Sequence, residues 1–566
     1  MSTHRQDNSY LPMLDWIREY PKEWLRLDVI AGLTAAAVVI PKAMANATIA
    51  GLPVQVGLYT AFLPMLIYAV FGTSRPLSVS TSATIAILAA AQLGQVVPDG
   101  NPASLLSASA TLTLLVGAIL VLASFLRLGF IANFISEPVL IGFKAGIGLV
   151  IVLDQLPKLL GIHFHKGSFF HNLSGLVQGL PETSMATLAV GAVMVAILVL
   201  LERLSPRAPA SLITVAAGIA GMSLLGLQAY GIASVGHIPT GLPPLTLPDF
   251  SLIEKLWPGA LGIALMSFTE TIAAGRAFAR SEEPPLRANQ ELLATGLANA
   301  GGALLGSMPA GGGTTQTSVN RLAGAHTQLA VLVTAGAALM TMLLFAPLIG
   351  LMPEATLAAL VIVYSIALIE PAEFRAILEV RRMEFIWAIA SFAGVVVLGT
   401  LEGILVAIVV SLVSIAYQTA NPPVYVVGRK PGSNVFRPLS DHHPEDETFP
   451  GLLLMRVEGR VFFGNAERIA DQMRALVADA KPRVITFDLS RVPDLEYTAL
   501  KMLTKAERRQ RDRGVMVWLV GLNPEVLATV RRSSLGKILG RERMIFNLEL
   551  AVEKYLESSA TGKTRR

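Results

Sequence analysis

Long apolar stretches, separated by short polar connections, recur through the first 420 residues of the chain. Most of them approach the roughly 20 residues that a helix needs to cross about 30 Å of hydrocarbon. The pattern predicts fourteen membrane-spanning helices, so that the chain returns to the side of the membrane on which it started. They are expected at 28–50, 53–71, 77–96, 103–126, 137–157, 185–202, 208–226, 258–279, 289–307, 313–326, 328–351, 354–370, 384–400 and 402–419.

Basic residues give a second, independent reason for this count. If residues 1–27 are a cytoplasmic segment, every second connection should collect lysine and arginine. Ten arginines, from Arg75 to Arg382, fall in or beside the connections that the count places inside. We therefore expect residues 28–420 to be a multi-pass transport domain in the inner membrane, in contact with lipid, with both termini cytoplasmic.

Composition divides the chain into two parts. With 53% hydrophobic and 15% charged residues and a mean hydropathy of +0.58, it is not an ordinary soluble protein. Residues 1–420 nevertheless hold only 42 of the 85 charged side chains, so the remainder resembles a soluble domain. The net charge of +5 is too modest to indicate nucleic-acid binding. The absence of cysteine excludes disulfides and thiolate metal sites.

The soluble part follows the last predicted span. Residues 421–450 are rich in proline, glycine and charge, and we interpret them as a linker. A small α/β domain is predicted at 451–558, followed by a basic tail at 559–566. Apolar runs at 484–489 and 515–520 are typical of strands, and helical periodicity precedes and separates them. This alternation predicts a mostly parallel sheet covered by helices.

Two predicted spans are poorly suited to be continuous membrane helices. The tenth begins with PAGGGTTQTSVN at 309–320, and the third begins with a cluster of hydroxyl residues. The hydroxyl residues are Ser78, Ser80, Thr81, Ser82 and Thr84. Non-helical backbone at membrane depth persists only where protein or a water-filled cavity satisfies its polar groups. Both segments therefore indicate a polar cavity.

The two interrupted spans occupy matching positions, each third in a group of seven, which indicates an internal repeat. Because seven is odd, the second repeat must be inverted in the membrane. Two half-helices then meet with their N-termini near the midplane, where unpaired N–H groups and helix dipoles favour an anion. Alternatively the small residues serve only close helix packing, which does not explain the matched positions.

The stretch PKAMANATIAGLPVQVGLYTAFLPMLIYAVFGTSRPLSVS, at 41–80, resembles the signature region of the sulfate-permease family of anion transporters and exchangers. The resemblance continues through ETIAAGRAFA at 270–279 and SVNRLAGAHTQLA at 318–330, and the α/β domain resembles a STAS domain. It implies fourteen spans in two inverted repeats, divided into a core and a gate. It also implies a homodimer and an elevator-like movement of the core.

Glu270, in the eighth span, is the expected coupling residue. The family usually has an acidic residue here, and members coupled to sodium use it with a hydroxyl residue four positions later. That position is Ala274 in this chain. Losing the hydroxyl weakens a sodium site and leaves a carboxylate that can carry a proton instead. Unpaired ionisable groups are costly inside a membrane, so the alternative is a structural ion pair.

Lys42 stands where the family commonly has Gln, and Asn46 lies one helical turn later on the same face. The family often has aromatic residues at the positions of Asn46 and Ser82, and frequently Arg at that of Gln316. One interpretation is that Lys42 replaces the basic group missing from the tenth span. Another pairs Lys42 with Glu270, so that helix dipoles alone hold the anion. The mutation of Lys42 to Gln should abolish binding only in the first case.

The anion is expected to meet backbone amides and short side chains where the two half-helices begin. These residues are Ser82, Ala83, Thr84, Gly313, Thr314, Thr315 and Gln316. Because amides distinguish charge and size more than identity, sulfate is the first candidate substrate, with bicarbonate, chloride and small dicarboxylates as alternatives. No cofactor is expected.

The resemblance also points to a regulatory position in the α/β domain. Soluble STAS proteins have an Asp and a phosphorylatable Ser or Thr at a helix start, where this chain has Glu496 and Thr498. A phosphate at a helix N-terminus is favourable, so phosphorylation of Thr498 is one hypothesis. Capping by the unmodified hydroxyl is the other. A cytoplasmic protein partner of this domain is a further expectation.

Other kinds of chemistry lack support in the sequence. No P-loop, Ser-His-Asp order or paired-metal motif is present, so ATP-driven pumping and hydrolysis are not expected. His163, His165 and His171 lack a carboxylate at ligand spacing, so no metal site is predicted. We expect a secondary active anion transporter. The alternatives are a membrane sensor that reports anion binding through the STAS domain, and an uncoupled channel or exchanger.

Overall fold

A computed structural model describes residues 11–18, 20–134, 136–163, 167–205 and 208–560. The chain forms two compact units, Met1–Leu412 and Val413–Arg566. The beginning of the predicted N-terminal segment, His165 and most of the predicted basic tail lie outside the described residues.

The first unit is almost entirely helical, and each of the fourteen predicted stretches contains a helix. Its elements are α1 (Pro12–Arg18), α2 (Lys22–Ile49), α3 (Val54–Phe71), β1 (Val79–Ser80), α4 (Ala83–Val96), α5 (Pro102–Phe125), α6 (Glu137–Leu160), α7 (Phe169–Gly179), α8 (Met185–Leu204), α9 (Ala210–Leu224), α10 (Ile253–Ala277), α11 (Ala288–Leu304), β2 (Gly311–Gly312), α12 (Thr314–Leu322), α13 (Leu329–Met340), α14 (Ala346–Gly350), α15 (Glu354–Ile366), α16 (Pro371–Val380) and α17 (Arg382–Leu398). Helix α18 (Thr400–Ala420) begins in the first unit and ends in the second. Helix α2 begins before residue 28, inside the predicted N-terminal segment.

The helices differ in length and in hydropathy. Within the described residues, seven helical segments are long and apolar enough to cross a membrane. Three shorter apolar helices are Ala83–Val96, Ala210–Leu224 and Leu405–Ala420. Local sequence explains several helix boundaries. Asn101, for example, caps α5 by accepting hydrogen bonds from the Ala103 and Ser104 N–H groups, and Pro102 supplies the first helical position.

The third and tenth predicted stretches are not continuous helices. In the third stretch β1 precedes α4, and just before the tenth stretch β2 precedes α12. Strand β1 pairs antiparallel with β2 in the register Val79 to Gly312 and Ser80 to Gly311. Helix α4 begins three positions after the end of β1, and α12 begins two positions after the end of β2, so both helix N-termini lie close to the strand pair. Gly312 has no room for a side chain, since a Cβ would lie 2.6 Å from the Thr271 Cα.

The second unit is an α/β domain. Its elements are β3 (Val424–Arg429), β4 (Phe436–Pro438), β5 (Leu452–Val457), α19 (Ala466–Ala480), β6 (Val484–Asp488), α20 (Tyr497–Asp512), β7 (Met516–Val520), α21 (Pro524–Arg532), α22 (Ser534–Leu539), β8 (Met544–Ile545) and α23 (Leu548–Ala560). The sheet order is β4-β3-β5-β6-β7-β8, with β5 to β8 parallel. The two predicted strands and the mostly parallel sheet are confirmed.

Both faces of this sheet are covered. Leu453 and Met455 of β5 belong to one buried apolar cluster, with residues of α19 to α22. Their neighbours Leu452 and Leu454 belong to a second cluster with α23. Side chains alternate between the two faces of a strand, and here both sets are apolar, as expected for a sheet buried between two layers of helices.

The linker prediction for 421–450 is wrong. Strand β3 lies between β4 and β5 in the sheet, antiparallel to both. Ion pairs attach the segment between β4 and β5 to these strands. Arg437 of β4 pairs with Asp446 at 2.8 Å, and Arg429 of β3 pairs with Glu447 at 2.6 Å. The proline, glycine and charged residues of this stretch predicted irregular structure, but the valine-rich run in β3 forms a strand because the neighbouring strands complete its hydrogen bonds.

Candidate anion site

The N-terminus of α4 is capped by Ser82. Its Oγ accepts a hydrogen bond from the Ile85 N–H at 3.2 Å, which satisfies one of the free donors of the first turn. The same hydroxyl donates to Oε2 of Glu270 at 2.7 Å. Thr84 is buried, and Ala83 is half-buried beside it. Ser82 therefore links the N-terminus of α4 to the Glu270 carboxylate on α10 by hydrogen bonds.

The N-terminus of α12 is left open. Its cap residue, Gly313, has no side chain, and its own N–H donates to the Ser78 carbonyl at 3.0 Å. Thr314 and Thr315 are exposed at the helix start, whereas Gln316 is buried. The first N–H groups of this helix therefore lack a side-chain cap and are available to an anion.

Two side-chain amides, Asn46 on α2 and Gln316 on α12, bind the backbone just before α4. The Thr81 carbonyl accepts from Asn46 Nδ2 at 3.1 Å and from Gln316 Nε2 at 3.2 Å. Gln316 Oε1 accepts from Ser78 Oγ at 3.1 Å. Both amides bind protein atoms on the non-helical backbone, so they hold the shape of the site and have less capacity left for an anion.

Lys42 lies at the open end of α12. Its Nζ donates to Thr315 Oγ1 at 3.0 Å, across 273 positions of sequence. The same ammonium lies 5.2 Å from the centroid of the Tyr364 ring, which brings α15 into the site. An ammonium has three donors, so these contacts leave Lys42 able to bind an anion at the α12 N-terminus.

Glu270 is 7% exposed, with Ser82 as its hydrogen-bond donor. Lys144 and Lys42 are the basic groups that act electrostatically on it. Within the described part of the chain, however, no ion pair of 4.0 Å or less joins Glu270 to either lysine. The contacts of Lys42 therefore favour the interpretation in which it supplies the basic group missing from the tenth predicted span. They do not favour direct pairing with Glu270.

Sequence reasoning missed two contributors. Tyr364 carries no local signal, because an aromatic residue in an apolar helix is ordinary. Lys144 did carry one, since an ionisable residue well inside the predicted span 137–157 is a functional candidate by default.

Two further buried carboxylates were missed, and both bind backbone N–H groups next to the broken helices. Asp28 accepts from the N–H groups of His326 at 2.7 Å and Thr327 at 3.2 Å, just after α12. Glu291 accepts from the Thr73 N–H at 2.7 Å and the Tyr68 hydroxyl at 2.6 Å, before β1. Each carboxylate therefore anchors a loop that positions one half-helix.

Thr498 is exposed and is the second residue of α20. The cap position is Glu496, whose side chain makes no capping bond and pairs instead with Arg460 at 2.7 Å. The capping interpretation of Thr498 is therefore wrong. Among the described residues, no group of three or more His, Asp or Glu side chains is placed to hold a metal ion.

These features define the class of the protein, a helical membrane transporter followed by a STAS domain. The fold is shared with the murine anion transporter SLC26A9 in the inward-facing state, with a TM-score of 0.87, 22% identity, and coverage of 96% of this chain and 95% of that one. It is also shared with the transmembrane domain of a cyanobacterial bicarbonate transporter, BicA, with a TM-score of 0.60, 24% identity, and coverage of 69% and 98%.

Sequence comparison identifies the family. Residues 25–391 match the sulfate permease family, and residues 443–553 match the STAS domain. A relative named "Probable sulfate transporter" from Mycobacterium tuberculosis is 34% identical over 550 residues, covering 96% of this chain and 98% of that one. The chloroplastic sulfate transporter 4.1 of Arabidopsis thaliana is 28% identical, covering 98% and 84%. The chain therefore belongs to the sulfate permease family, and the predicted resemblance is confirmed.

Proposed function

We propose that this protein is a secondary active transporter that holds a small anion, sulfate first, between the N-termini of α4 and α12. One observation carries the proposal, namely that the β1–β2 pairing brings both helix starts to one place, with Lys42 bonded to Thr315 beside them. Two helix dipoles, free backbone N–H groups and one ammonium all favour negative charge there.

The names of the relatives support sulfate as the first substrate to test. The donors at the site are mainly backbone amides and hydroxyls, which distinguish charge and size more than chemical identity. Bicarbonate, chloride and small dicarboxylates therefore stay on the list of substrates.

Proton coupling follows from the position of Glu270. Its carboxylate is one hydrogen bond from Ser82, at the helix end where the anion would sit. A charged carboxylate repels the anion, and a protonated one does not. Each ligand then strengthens the binding of the other, as coupled transport requires.

We further propose that the membrane unit has fourteen spans in two inverted repeats, works by an elevator-like movement of its core, and forms a homodimer in the inner membrane with cytoplasmic termini. A helix in every predicted stretch and the matched broken helices support the first part. The exposed Thr498 stays a proposed phosphorylation site through which a protein partner of the STAS domain could act.

The test is uptake of labelled sulfate, bicarbonate and fumarate into proteoliposomes, with and without an inward proton gradient. Wild type is compared with Glu270→Gln and with Glu254→Gln, which changes an exposed carboxylate on the same helix. Gradient-driven uptake of one anion, lost only in Glu270→Gln, supports the proposal.

Two other outcomes separate the alternatives. Anion binding without uptake would assign a sensor. Uptake that follows voltage and is indifferent to the proton gradient and to the Glu270 mutation would assign a channel or an exchanger.

A further inference from the structure

A groove of about 720 Å³ lies between α19 and α20 of the α/β unit. Partly exposed apolar side chains line it, chiefly Met473, Val477, Met502 and Val517. Ligand sites typically measure roughly 300–1,000 Å³ and are mostly apolar with a few polar groups. Flexible methionines allow such a lining to fit chains of different shape.

One rim of the groove is a row of basic residues. Lys501, Lys505, Arg509 and Arg513 follow one another every fourth position along α20 and its C-terminal cap, and all four line the groove. Residues four apart share a helix face, and the row rises by about 18 Å. Within the described part of the chain, none of the four forms an ion pair of 4.0 Å or less.

The other charges of the groove do not cancel this row. Glu507 is 1% exposed, and Arg543 neutralises it at 3.1 Å. On α19, Arg474 pairs with Asp471, which leaves Glu467 as the remaining acidic side chain of the lining. The groove therefore combines an apolar interior with a positively charged edge.

We propose that this groove binds a single-chain acyl anion, with its hydrocarbon tail between α19 and α20 and its carboxylate or phosphate head on the basic row. The tail removes apolar surface from water, and the head neutralises a row that nothing else in the described unit pairs. The chain's own C-terminal residues, TGKTRR, are basic and would be repelled. The proposal is independent of the transport site.

The experiment uses the full-length protein in lipid nanodiscs and photoreactive diazirine analogues of palmitate, of lysophosphatidate and of an uncharged fatty alcohol. After photolysis, labelled peptides are mapped by mass spectrometry. We expect both anionic probes to label peptides containing Met473 or Met502, in competition with unlabelled palmitate, and the alcohol to label them roughly tenfold less. Labelling by only one anionic probe identifies the head group as carboxylate or phosphate and supports the proposal.

Variants separate a site from general lipid contact. The pair Lys505→Glu and Arg509→Glu should lower groove labelling roughly tenfold, as should Ala506→Trp, which fills the groove. Lys537→Glu, an exposed basic residue of α22 outside the lining, should leave it unchanged. Thermal unfolding of each variant checks that the domain is folded.

Three results would overturn the proposal. They are labels confined to the membrane helices, equal labelling of the groove by the fatty alcohol, and cross-links that join two copies of the chain through the groove peptides.

Discussion

The Ser82 hydroxyl accepts a hydrogen bond from the first turn of α4 and at the same time donates one to Glu270, 2.7 Å away on α10. A single side chain thus connects the helix end that we propose meets the anion to the carboxylate that we propose carries the proton. If Glu270 gains or loses a proton, the hydrogen bond from Ser82 changes, and Ser82 is also the residue that caps α4. This relationship gives the proposed coupling a physical route.

Removing that hydroxyl with Ser82→Ala should weaken apparent sulfate affinity by several-fold and lower the free energy of unfolding by about 1 kcal/mol, the usual cost of a lost N-cap. The matched control is Ser80→Ala. Ser80 lies two positions earlier, and its buried Oγ has no hydrogen-bond partner among the residues that the structure describes. Uptake assays and thermal unfolding are the measurements. Identical behaviour of the two variants would contradict the role of Ser82.

Charge at Lys42 is expected to hold the anion. A hydrogen bond to a charged group contributes roughly 1.5–3 kcal/mol, so Lys42→Gln should weaken sulfate binding by roughly tenfold or more. Lys255→Gln, an exposed lysine near the start of α10, should not. Equilibrium binding to purified protein checks this directly. Unchanged affinity in Lys42→Gln would mean that the helix dipoles hold the anion alone.

Tyr364 should act through its ring. A cation–π contact is worth roughly 0.5–2 kcal/mol, so Tyr364→Leu should change apparent sulfate affinity by roughly twofold to thirtyfold. Tyr364→Phe keeps the ring beside Lys42 and should stay near wild type. Affinity measured for the two variants decides the matter. Equal effects of Phe and Leu would show that the hydroxyl, and not the ring, is what the site uses.

Close packing of α2 and α3 positions Lys42. A Cβ added at Gly57 would overlap the carbonyl oxygen of Ala43, the residue after Lys42. Gly57→Ala should therefore lower the free energy of unfolding by roughly 1–3 kcal/mol and reduce uptake. At Gly94, no neighbouring atom of the described residues lies within 4 Å of an added Cβ, so Gly94→Ala should be neutral or slightly stabilising. A stable and active Gly57→Ala would disprove the packing argument.

The Arg437–Asp446 pair makes the stability of the α/β unit depend on pH. Hydrogen bonding to Arg437 holds the pKa of Asp446 below its usual range. Because the folded-state pKa is the lower one, the pair stabilises the unit above the unfolded value of about 4 and is lost as pH falls through the folded value.

Arg437→Gln should therefore lower the unfolding temperature of this unit near pH 7, and its difference from wild type should shrink toward pH 3. Thermal unfolding across this pH range is the measurement. Arg468→Gln, an exposed arginine of α19, is the control. A difference in unfolding temperature between wild type and Arg437→Gln that stays constant with pH would contradict the role of the Arg437–Asp446 pair.

The linker error illustrates how local patterns fail. Residues 421–450 contain enough proline and glycine to predict irregular structure, yet β3 forms because β4 and β5 complete its hydrogen bonds on both sides. By contrast, β6 and β7 were predicted correctly, because short apolar runs between amphipathic helices have few other ways to be buried.

The sequence by itself determined the helical segments, the two that break, the α/β tail and the family. The segments and the α/β pattern could be predicted because apolar length, helix-breaking residues and periodic alternation are local properties of the chain. The family was predicted from the resemblance of residues 41–80 to its signature region. Only the tertiary structure decided that Val79 pairs with Gly312, that Lys42 bonds to Thr315, and that the Tyr364 ring lies beside Lys42. These contacts join residues far apart in sequence, and their geometry depends on how the helices pack, which no local pattern records.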